Sequence, residues 1–546
     1  MMHDANNAHR WLLVAISVWC ATFLLVLDSR TSLNGGRVRS NLLRASDHGH
    51  PHVMGLVLPN AAAMEQAILA PSFAQAVDEA TSTPRLETDT AMRESVVSAM
   101  QWAWKGYHTF AFGFDSLDVN TNGHVFDSPD LAVSLVDSLD TLYLMGLMDE
   151  FHEAAAWAET NMLAKHAASG SVSLFETTIR VLGGYLSAHQ LSGRAGLLRL
   201  ADDLGGRLAK AFNHTPFPLA RINLASGATS QGSCLAEFTT IQLEFKYLAR
   251  LTGKPGYANA VDAIMDKVAW NVQTRYPDGL LPVSADNYGG TFPPGRITIG
   301  ACGDSYYEYL LKQWLYSGKR ETKYRDMYEQ AVTSIAQKLV GHTAKSNWVF
   351  LGELESSGGS LNTKMDHLVC FVPGMLALGY INGMPSWHLD LAKDLLHTCF
   401  EMYNQMDSKL APERAYFNTA SKDTPDLQTY QNDAFNILRP ETVESLMLLY
   451  RVTGDRIYRE WGKVIFDAFE EHCKMDQGGY SSVNHVDTTT PTKGFRPEME
   501  SFFMAETLKY FYLLYSDETV VPLDQFIFNT EAHPFPIEAP DIATSA

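Results

Sequence analysis

Four segments of the chain repeat one pattern: an acidic residue, about three turns of helix with apolar residues at helical spacing, and a Ser/Thr-Gly stop. They run from Glu176 to Gly193 (ETTIRVLGGYLSAHQLSG), Glu237 to Gly253 (EFTTIQLEFKYLARLTG), Asp304 to Gly318 (DSYYEYLLKQWLYSG) and Glu441 to Gly454 (ETVESLMLLYRVTG). Looser copies begin at Asp137 (DSLDTLYLMGL), His367 (HLVCFVPGMLALG) and Glu506 (ETLKYFYLLYSD). Intervals between the seven heads are 39, 61, 67, 63, 74 and 65 residues. Every interval after the first leaves room for one further helix and two turns, which predicts helical hairpins in a repeating array.

If the array closes into a ring, the helices that open on these heads point the same way and bring their first residues to one mouth. An acid in a first helical turn caps free N–H groups and complements the helix dipole, so each head alone has a structural explanation. Their neighbours are Arg, His and aromatic residues rather than ordinary surface ones: Phe175-Glu176, Met365-Asp366-His367, Arg439-Pro440-Glu441 and Phe502-Phe503. That company points to a pocket. The tail adds Thr530, Glu531 and His533 within FIFNTEAHPFPIEAP. Asp140 and Glu244 read as structural, and His533 as a cap on the final turn.

The chain before the repeats differs in character. Residues 11–27 (WLLVAISVWCATFLLVL) form an uncharged apolar run between Arg10 and Asp28, long enough to span a thin bilayer. With no small-x-small cleavage site cleanly after the run, a signal anchor is favoured over a cleaved signal peptide. Residues 1–10 then form a short cytosolic tail and 28–90 a stem rich in Ser, Gly, Asn, Pro and Ala. From about Met92, ESVVSAMQWAWKGYHTFAFG reads as an amphipathic helix, and hairpins follow to Tyr515, giving a domain of 91–540. Gly- and Pro-rich loops at 276–295 and 476–497 are candidates for short strands and for binding residues. Arg30, Arg37, Arg39 and Arg44 follow the apolar run while Arg10 alone precedes it, so arginine counting by itself would leave the domain in the cytosol.

A formal charge of −20 argues against nucleic acid and anionic membrane surfaces as partners. A neutral polyhydroxy ligand suits it, and the many aromatic residues suit stacking on sugar faces. Six cysteines, at 20, 234, 302, 370, 399 and 473, are too scattered for a zinc site or a disulfide framework, though one bridge fits. Asn213-His214-Thr215 is a glycosylation sequon.

Crowded carboxylates raise one another's pKa values, while Arg180 and Arg439 lower those of the glutamates beside them. Splitting carboxyl groups into protonated and ionised partners is what glycoside hydrolysis requires, one donating to the leaving oxygen and another activating water. Residual negative charge invites a hard cation. Ca²⁺ prefers oxygen ligands, and Thr530 with waters held by glutamates could supply them.

The blocks SLFETTIRVLGGYLSAHQLSG, LAEFTTIQLEFKYLARLTG, GDSYYEYLLKQWL, MDHLVCFVPG, LRPETVESLMLLYRVTGD, MESFFMAETLKYFYLLYSD and FNTEAHPFPI together resemble glycoside hydrolase family 47, in that family's order and over residues 92–537. These are the class I α-1,2-mannosidases that trim N-linked glycans in the endoplasmic reticulum and Golgi. The resemblance implies an all-α (α/α)7 barrel plugged at one end by the C-terminal hairpin. It implies Glu176 as general acid, Glu441 as general base and Asp304 as a third essential carboxylate, and leaves open which carboxylate donates the proton, directly or through water. It further implies Thr530 as the direct Ca²⁺ ligand, and Arg180, Glu237, His367, Arg439, Glu444, Glu506 and Glu531 around the sugar subsites or the calcium waters, with Phe502 beneath the sugar.

By the same resemblance, Cys370 and Cys399 form a disulfide, the reaction inverts the anomeric centre, and the chain is a type II protein of the Golgi or endoplasmic reticulum membrane with a lumenal catalytic domain. That placement opposes the arginine count. The expected partners are high-mannose N-glycans, with no nucleic acid, and the enzyme is expected to act as a monomer. Two residues before Asp304 the family carries Arg in reticulum enzymes that remove one particular mannose, Leu in Golgi enzymes and Gly in secreted fungal ones. Cys302 stands there in this chain. A small uncharged residue cannot make an arginine's bidentate hydrogen bonds, so broader Golgi-like trimming is expected. A second reading keeps the fold and makes the chain an EDEM-like mannose lectin or mannosidase of glycoprotein quality control.

Overall fold

A computed structural model describes residues 86–125, 130–356 and 358–539. The proposed cytosolic tail (1–10), apolar segment (11–27) and all but the end of the stem lie outside the described residues. No helix among the described residues is long and apolar enough to cross a membrane. Residues 86–89, assigned to the stem, are tied to the last helical hairpin: Leu86 N–H donates to Glu518 at 2.9 Å and the Thr88 hydroxyl to Asp517 at 3.0 Å.

Seven inner helices, Leu139–Leu144, Gly183–Ser192, Gln242–Thr252, Asp304–Tyr316, Val372–Ile381, Glu441–Thr453 and Leu508–Leu514, each touch the next. The turn Phe503–Thr507, which leads into the last of them, touches the first, so the series returns on itself. Each has an outer partner: Thr90–Phe110, Met148–Ala168, Ala195–Leu208, Gly256–Arg275, Thr322–Lys338, Trp387–Asn404 and Ile457–His472. Burial follows this layering. Every residue of the inner helix from Ser305 to Tyr316 is buried, whereas Ile457–His472 buries one stripe through Tyr458, Ile465, Phe466 and Phe469.

All four strict repeats end as predicted. Gly193, Gly253, Gly318 and Gly454 follow their helices in the left-handed region, at φ 71°, 67°, 61° and 71°, where a glycine has no Cβ penalty. The loose copies depart from the pattern. Asp137 is the last residue of Val133–Asp137 rather than a first one, and Glu506 sits inside a π-turn, Phe503–Thr507. The Glu237 repeat breaks after Leu235–Thr239 and resumes at Gln242, and the Glu176 repeat passes through a second π-turn, Thr177–Leu182. Apolar spacing cannot distinguish a π-turn from an α-turn when both faces are buried. Such turns gather at functional positions, and these two carry Arg180 and Glu506. The 476–497 loop contains the strands Val483–Asn484 and Thr492–Lys493. The 276–295 loop has only the isolated bridge Asp286↔Thr291 within it and the bridge of Ser284 to Cys234.

The C-terminal strands Phe526–Phe528 and Pro534–Pro536 pair antiparallel and pack on the inner helices Asp304–Tyr316 and Gly183–Ser192. Their connecting loop is buried within the ring of helices. The Asn529 side chain organises it, accepting from the N–H groups of Glu531 (2.9 Å) and His533 (2.8 Å) and donating to Glu244 (2.8 Å) and the Ile179 carbonyl (3.0 Å). The neighbouring helix must be bare at Gly183, because a Cβ there would stand 2.8 Å from the His533 ring. Below the loop lies a network with no access to solvent. His533 bonds Asp140 at 2.8 Å and Asp137 at 3.1 Å, and Lys509 bonds Asp140 at 2.9 Å and the Ala532 carbonyl at 2.7 Å. His533 is therefore an anchor of the hairpin and not a cap, while Asp140 and Glu244 are structural as expected.

Candidate active site

The residues predicted for the site meet where the inner helices begin. Arg180 organises one wall. Its guanidinium donates to Glu176 (2.8 Å), Glu531 (2.8 Å) and the Ser501 hydroxyl (2.9 Å), and its centre lies 5.6 Å from the middle of the Phe502 ring. Asp137 is 3.9 Å from the same guanidinium and accepts from Ser501, so this head serves by orienting the arginine from behind. The Glu176 side chain is 48% exposed, facing the mouth. Beside it opens a cavity of about 370 Å³ lined by Asp115, Ser173, Arg221, Glu498 and Glu500 together with Glu176 and Arg180. Burial, with the charge of Glu498 adding, pushes the Glu500 carboxyl up to about 7 against the pull of Arg180.

Glu441 is arranged differently. His367 Nδ1 lies 2.7 Å from its carboxylate and Nε2 lies 2.8 Å from the Tyr403 hydroxyl and 3.1 Å from that of Thr442. A carboxylate only accepts, so Nδ1 carries the proton that faces Glu441. Burial alone would raise the glutamate's pKa. The His367 hydrogen bond and charge, and Arg439 at 3.8 Å, hold it below the ordinary value. Arg439 is itself fixed by a two-pronged pair with Glu413, at 2.6 and 2.7 Å. Glu413 escaped the sequence reading because it heads no helix; it lies just before the strand Arg414–Phe417.

Asp304 opens its helix and accepts from the Ser305 N–H at 2.9 Å. Burial pushes its carboxyl up to about 7; the Ser305 bond opposes this, and the charges of Glu308, Glu441 and Asp366 reinforce it. One turn further on, Glu308 accepts from the Thr530 hydroxyl at 2.8 Å and pairs with Lys312, which stands 3.8 Å from Glu444. Glu308 was legible only as an i+4 partner of Asp304 and was missed. Burial lifts Glu444 to about 8 despite Lys312, with Glu308 and Glu441 adding, and it lifts Glu506 with the charges of Glu441 and Glu444 reinforcing. Glu237 accepts from the Cys234 N–H at 2.8 Å, and burial raises its pKa against that bond.

Thr530, Glu308, Glu444, Glu506 and Glu531 make an all-oxygen donor set, and burial disfavours ionisation of Glu444, Glu506 and Glu531, the chemistry that a hard dication relieves. Among the described residues no three His, Cys, Asp or Glu side chains converge closely enough to hold an ion directly.

Two disulfides are present among the described residues. Cys370–Cys399 is the expected pair, with Cα atoms 5.9 Å apart. Cys234–Cys302, Cα atoms 5.6 Å apart, was not expected, and it corrects the picture of Cys302 as a free small side chain at the rim. Cys473 is buried and unpaired as a thiol.

A ring of inner helices brings unequally tuned carboxyl groups to one mouth, the pairing of protonated and ionised carboxyls that the glycosidase class uses. The glycosyl hydrolase family 47 model matches residues 99–537. The human endoplasmic reticulum mannosyl-oligosaccharide 1,2-alpha-mannosidase is 43% identical over 459 residues, covering 82% of this chain and 64% of the human protein. A mannosyl-oligosaccharide 1,2-alpha-mannosidase of Arabidopsis thaliana is 40% identical over 499 residues, covering 82% of this chain and 79% of the plant protein. The solved alpha-1,2-mannosidase of Trichoderma reesei superposes with a TM-score of 0.75 at 29% identity, over 83% of this chain and 100% of the fungal one. The chain belongs to glycosyl hydrolase family 47.

Proposed function

We propose that the chain is a calcium-dependent, inverting exo-α-1,2-mannosidase that removes terminal α-1,2-linked mannose from high-mannose N-glycans, working from Man9GlcNAc2 toward Man5 forms. The observation that carries this is the opposed tuning of two part-buried carboxyl groups, Glu441 held ionised by His367 and Arg439, and Asp304 raised to about 7. In this mechanism Glu441 accepts a proton from the attacking water. On the opposite face Glu176, at the exposed mouth, and Asp304, which keeps a proton near neutrality, supply the proton to the leaving oxygen. For inversion the acid and base stand roughly 6.5–9.5 Å apart. Ca²⁺, held by Thr530 and by waters on the surrounding glutamates, would orient sugar hydroxyls when bound. Arg180, Glu237, Arg439, Glu444, Glu506, Glu531 and Phe502 form the sugar-binding wall.

The inner and outer helices are read as an (α/α)7 barrel. The two disulfides suit an oxidising lumen, and the human relative's name suits the endoplasmic reticulum. Residues 11–27 would anchor the chain there in type II orientation. With its sulfur committed to a disulfide, Cys302 offers no donor to a glycan, which supports broad rather than single-mannose trimming.

Digestion of Man9GlcNAc2 with and without a chelator tests this. Successive release of mannose that stops on chelation, and loss of at least 100-fold in turnover by a folded Glu441→Gln variant, are expected. Glycan binding without mannose release would make the chain a lectin, and accumulation of one Man8 isomer would overturn broad trimming.

A further inference from the structure

The Cys234–Cys302 bond joins the segments that lead into two helices, Leu235–Thr239 and Asp304–Tyr316, and no step of the proposed reaction uses it. Cys234 immediately precedes Leu235–Thr239, and its backbone N–H is the donor that holds the Glu237 carboxylate. Cys302 lies two residues ahead of Asp304, and its carbonyl accepts from the Ala236 N–H at 2.9 Å, so a main-chain bond runs beside the covalent one. The bond thus spans 68 residues of sequence at the level of the two carboxyl groups.

The segment it grips has little freedom elsewhere. Cys302 itself is left-handed at φ 74°. A Cβ on Gly303 would meet the Thr298 carbonyl at 2.1 Å, and one on Gly300 would meet the Asp366 carboxylate at 2.5 Å. The chain therefore enters the Asp304 helix through a tight, strained turn. Such a turn is retained only where its surroundings over-determine it. The two disulfides also differ in access. Cys370 and Cys399 are buried at 0% and 1% exposure, while Cys234 and Cys302 are part-exposed at the rim.

We infer that Cys234–Cys302 is a positioning clamp, which fixes the separation of Glu237 and Asp304 so that both face one bound sugar. The inference rests on the proposed assignment of Glu237 to the sugar-binding wall and of Asp304 to proton delivery. Displacement of a positioned group by about 1 Å can cost about 100-fold in rate. Opening the clamp is therefore expected to lower kcat by 10-fold or more, with a smaller rise in KM, in protein that remains folded.

The test compares the Cys234→Ser/Cys302→Ser double variant with the parent and with Asp304→Asn, measuring kcat and KM on Man9GlcNAc2 well below the melting temperature. The unmutated enzyme, treated with a trialkylphosphine, provides a second route that does not depend on the variant folding. The phosphine is oxidised to its oxide as the two sulfurs become thiols. Activity is read before alkylation, and mass spectrometry then identifies the opened pair. Loss of kcat in step with opening of Cys234–Cys302, while Cys370–Cys399 stays closed and circular dichroism is unchanged, supports the clamp. Unchanged kcat and KM with that pair open, with or without a lower melting temperature, overturns it when Asp304→Asn is inactive. Full activity of Asp304→Asn would instead overturn the proposed role of Asp304.

Discussion

His367 Nδ1 stands 2.7 Å from the Glu441 carboxylate while its other nitrogen is held by Tyr403 at 2.8 Å. The imidazole is thereby fixed in the tautomer that donates to the glutamate, and Glu441 enters the reaction already ionised at neutral pH.

Replacing His367 by Leu removes that donor and leaves Glu441 buried with Arg439 alone. Burial then dominates and the glutamate's pKa rises. A base works only when ionised, so the acidic limb of the kcat/KM profile should move to higher pH, with the loss of activity greatest at the acidic end. A pH–rate series checks this, and an unmoved acidic limb would show that another group sets it.

Thr530→Ala deletes the hydroxyl that donates to Glu308 at 2.8 Å, a bond to a charged group worth about 1.5–3 kcal/mol. It also removes one of the two Thr530 oxygens offered to a cation. The rise in melting temperature on adding calcium, which grows with the ratio of free ion to dissociation constant, should shrink in the variant. Thermal scans with and without the ion read this without any activity assay, and an equal rise in both proteins would exclude Thr530 as a ligand.

His533→Ala removes one hydrogen-bond partner from each of the buried Asp137 and Asp140, leaving Asp137 to Ser501 and Arg180 and Asp140 to Lys509, a loss of about 1–3 kcal/mol. The His533 pKa is raised, burial opposing and the two aspartates prevailing, so its contribution is complete below the unfolded-state value and fades as pH rises through the folded one. Asp140 is shifted down: burial opposes, while Lys509 and His533 prevail. Its contribution is present above the unfolded-state value and fades as pH falls through the folded one. Melting temperatures across pH should therefore decline on the alkaline side in the parent and lose that His533-linked decline in the variant. An unchanged alkaline profile would mean that His533 is neutral in the fold.

Helix heads and stops were legible in the sequence because they depend on neighbours three or four residues away. Glu441 to Gly454 is the clearest example, beginning as a helix at Glu441 and closing on a left-handed Gly454. The looser copies failed where a head was judged by likeness alone. Asp137 ends a helix, and Glu506 lies within a π-turn whose extra residue apolar spacing does not register.

What the sequence determined by itself was the alternation of inner and outer helices and the stock of carboxyl, guanidinium and imidazole groups at their beginnings. Local periodicity and capping are sufficient for both. Tertiary structure decided what each group does. Glu441 is ionised because His367, 74 residues away, reaches it. Asp304 is held up because burial removes its water, and Arg180 is aimed by Glu531 and by Asp137 behind it. Cys302 finds Cys234 only because adjacent inner helices bring their first residues together. Charge state and covalent pairing depend on distance and on access to water, and neither is encoded in spacing along the chain.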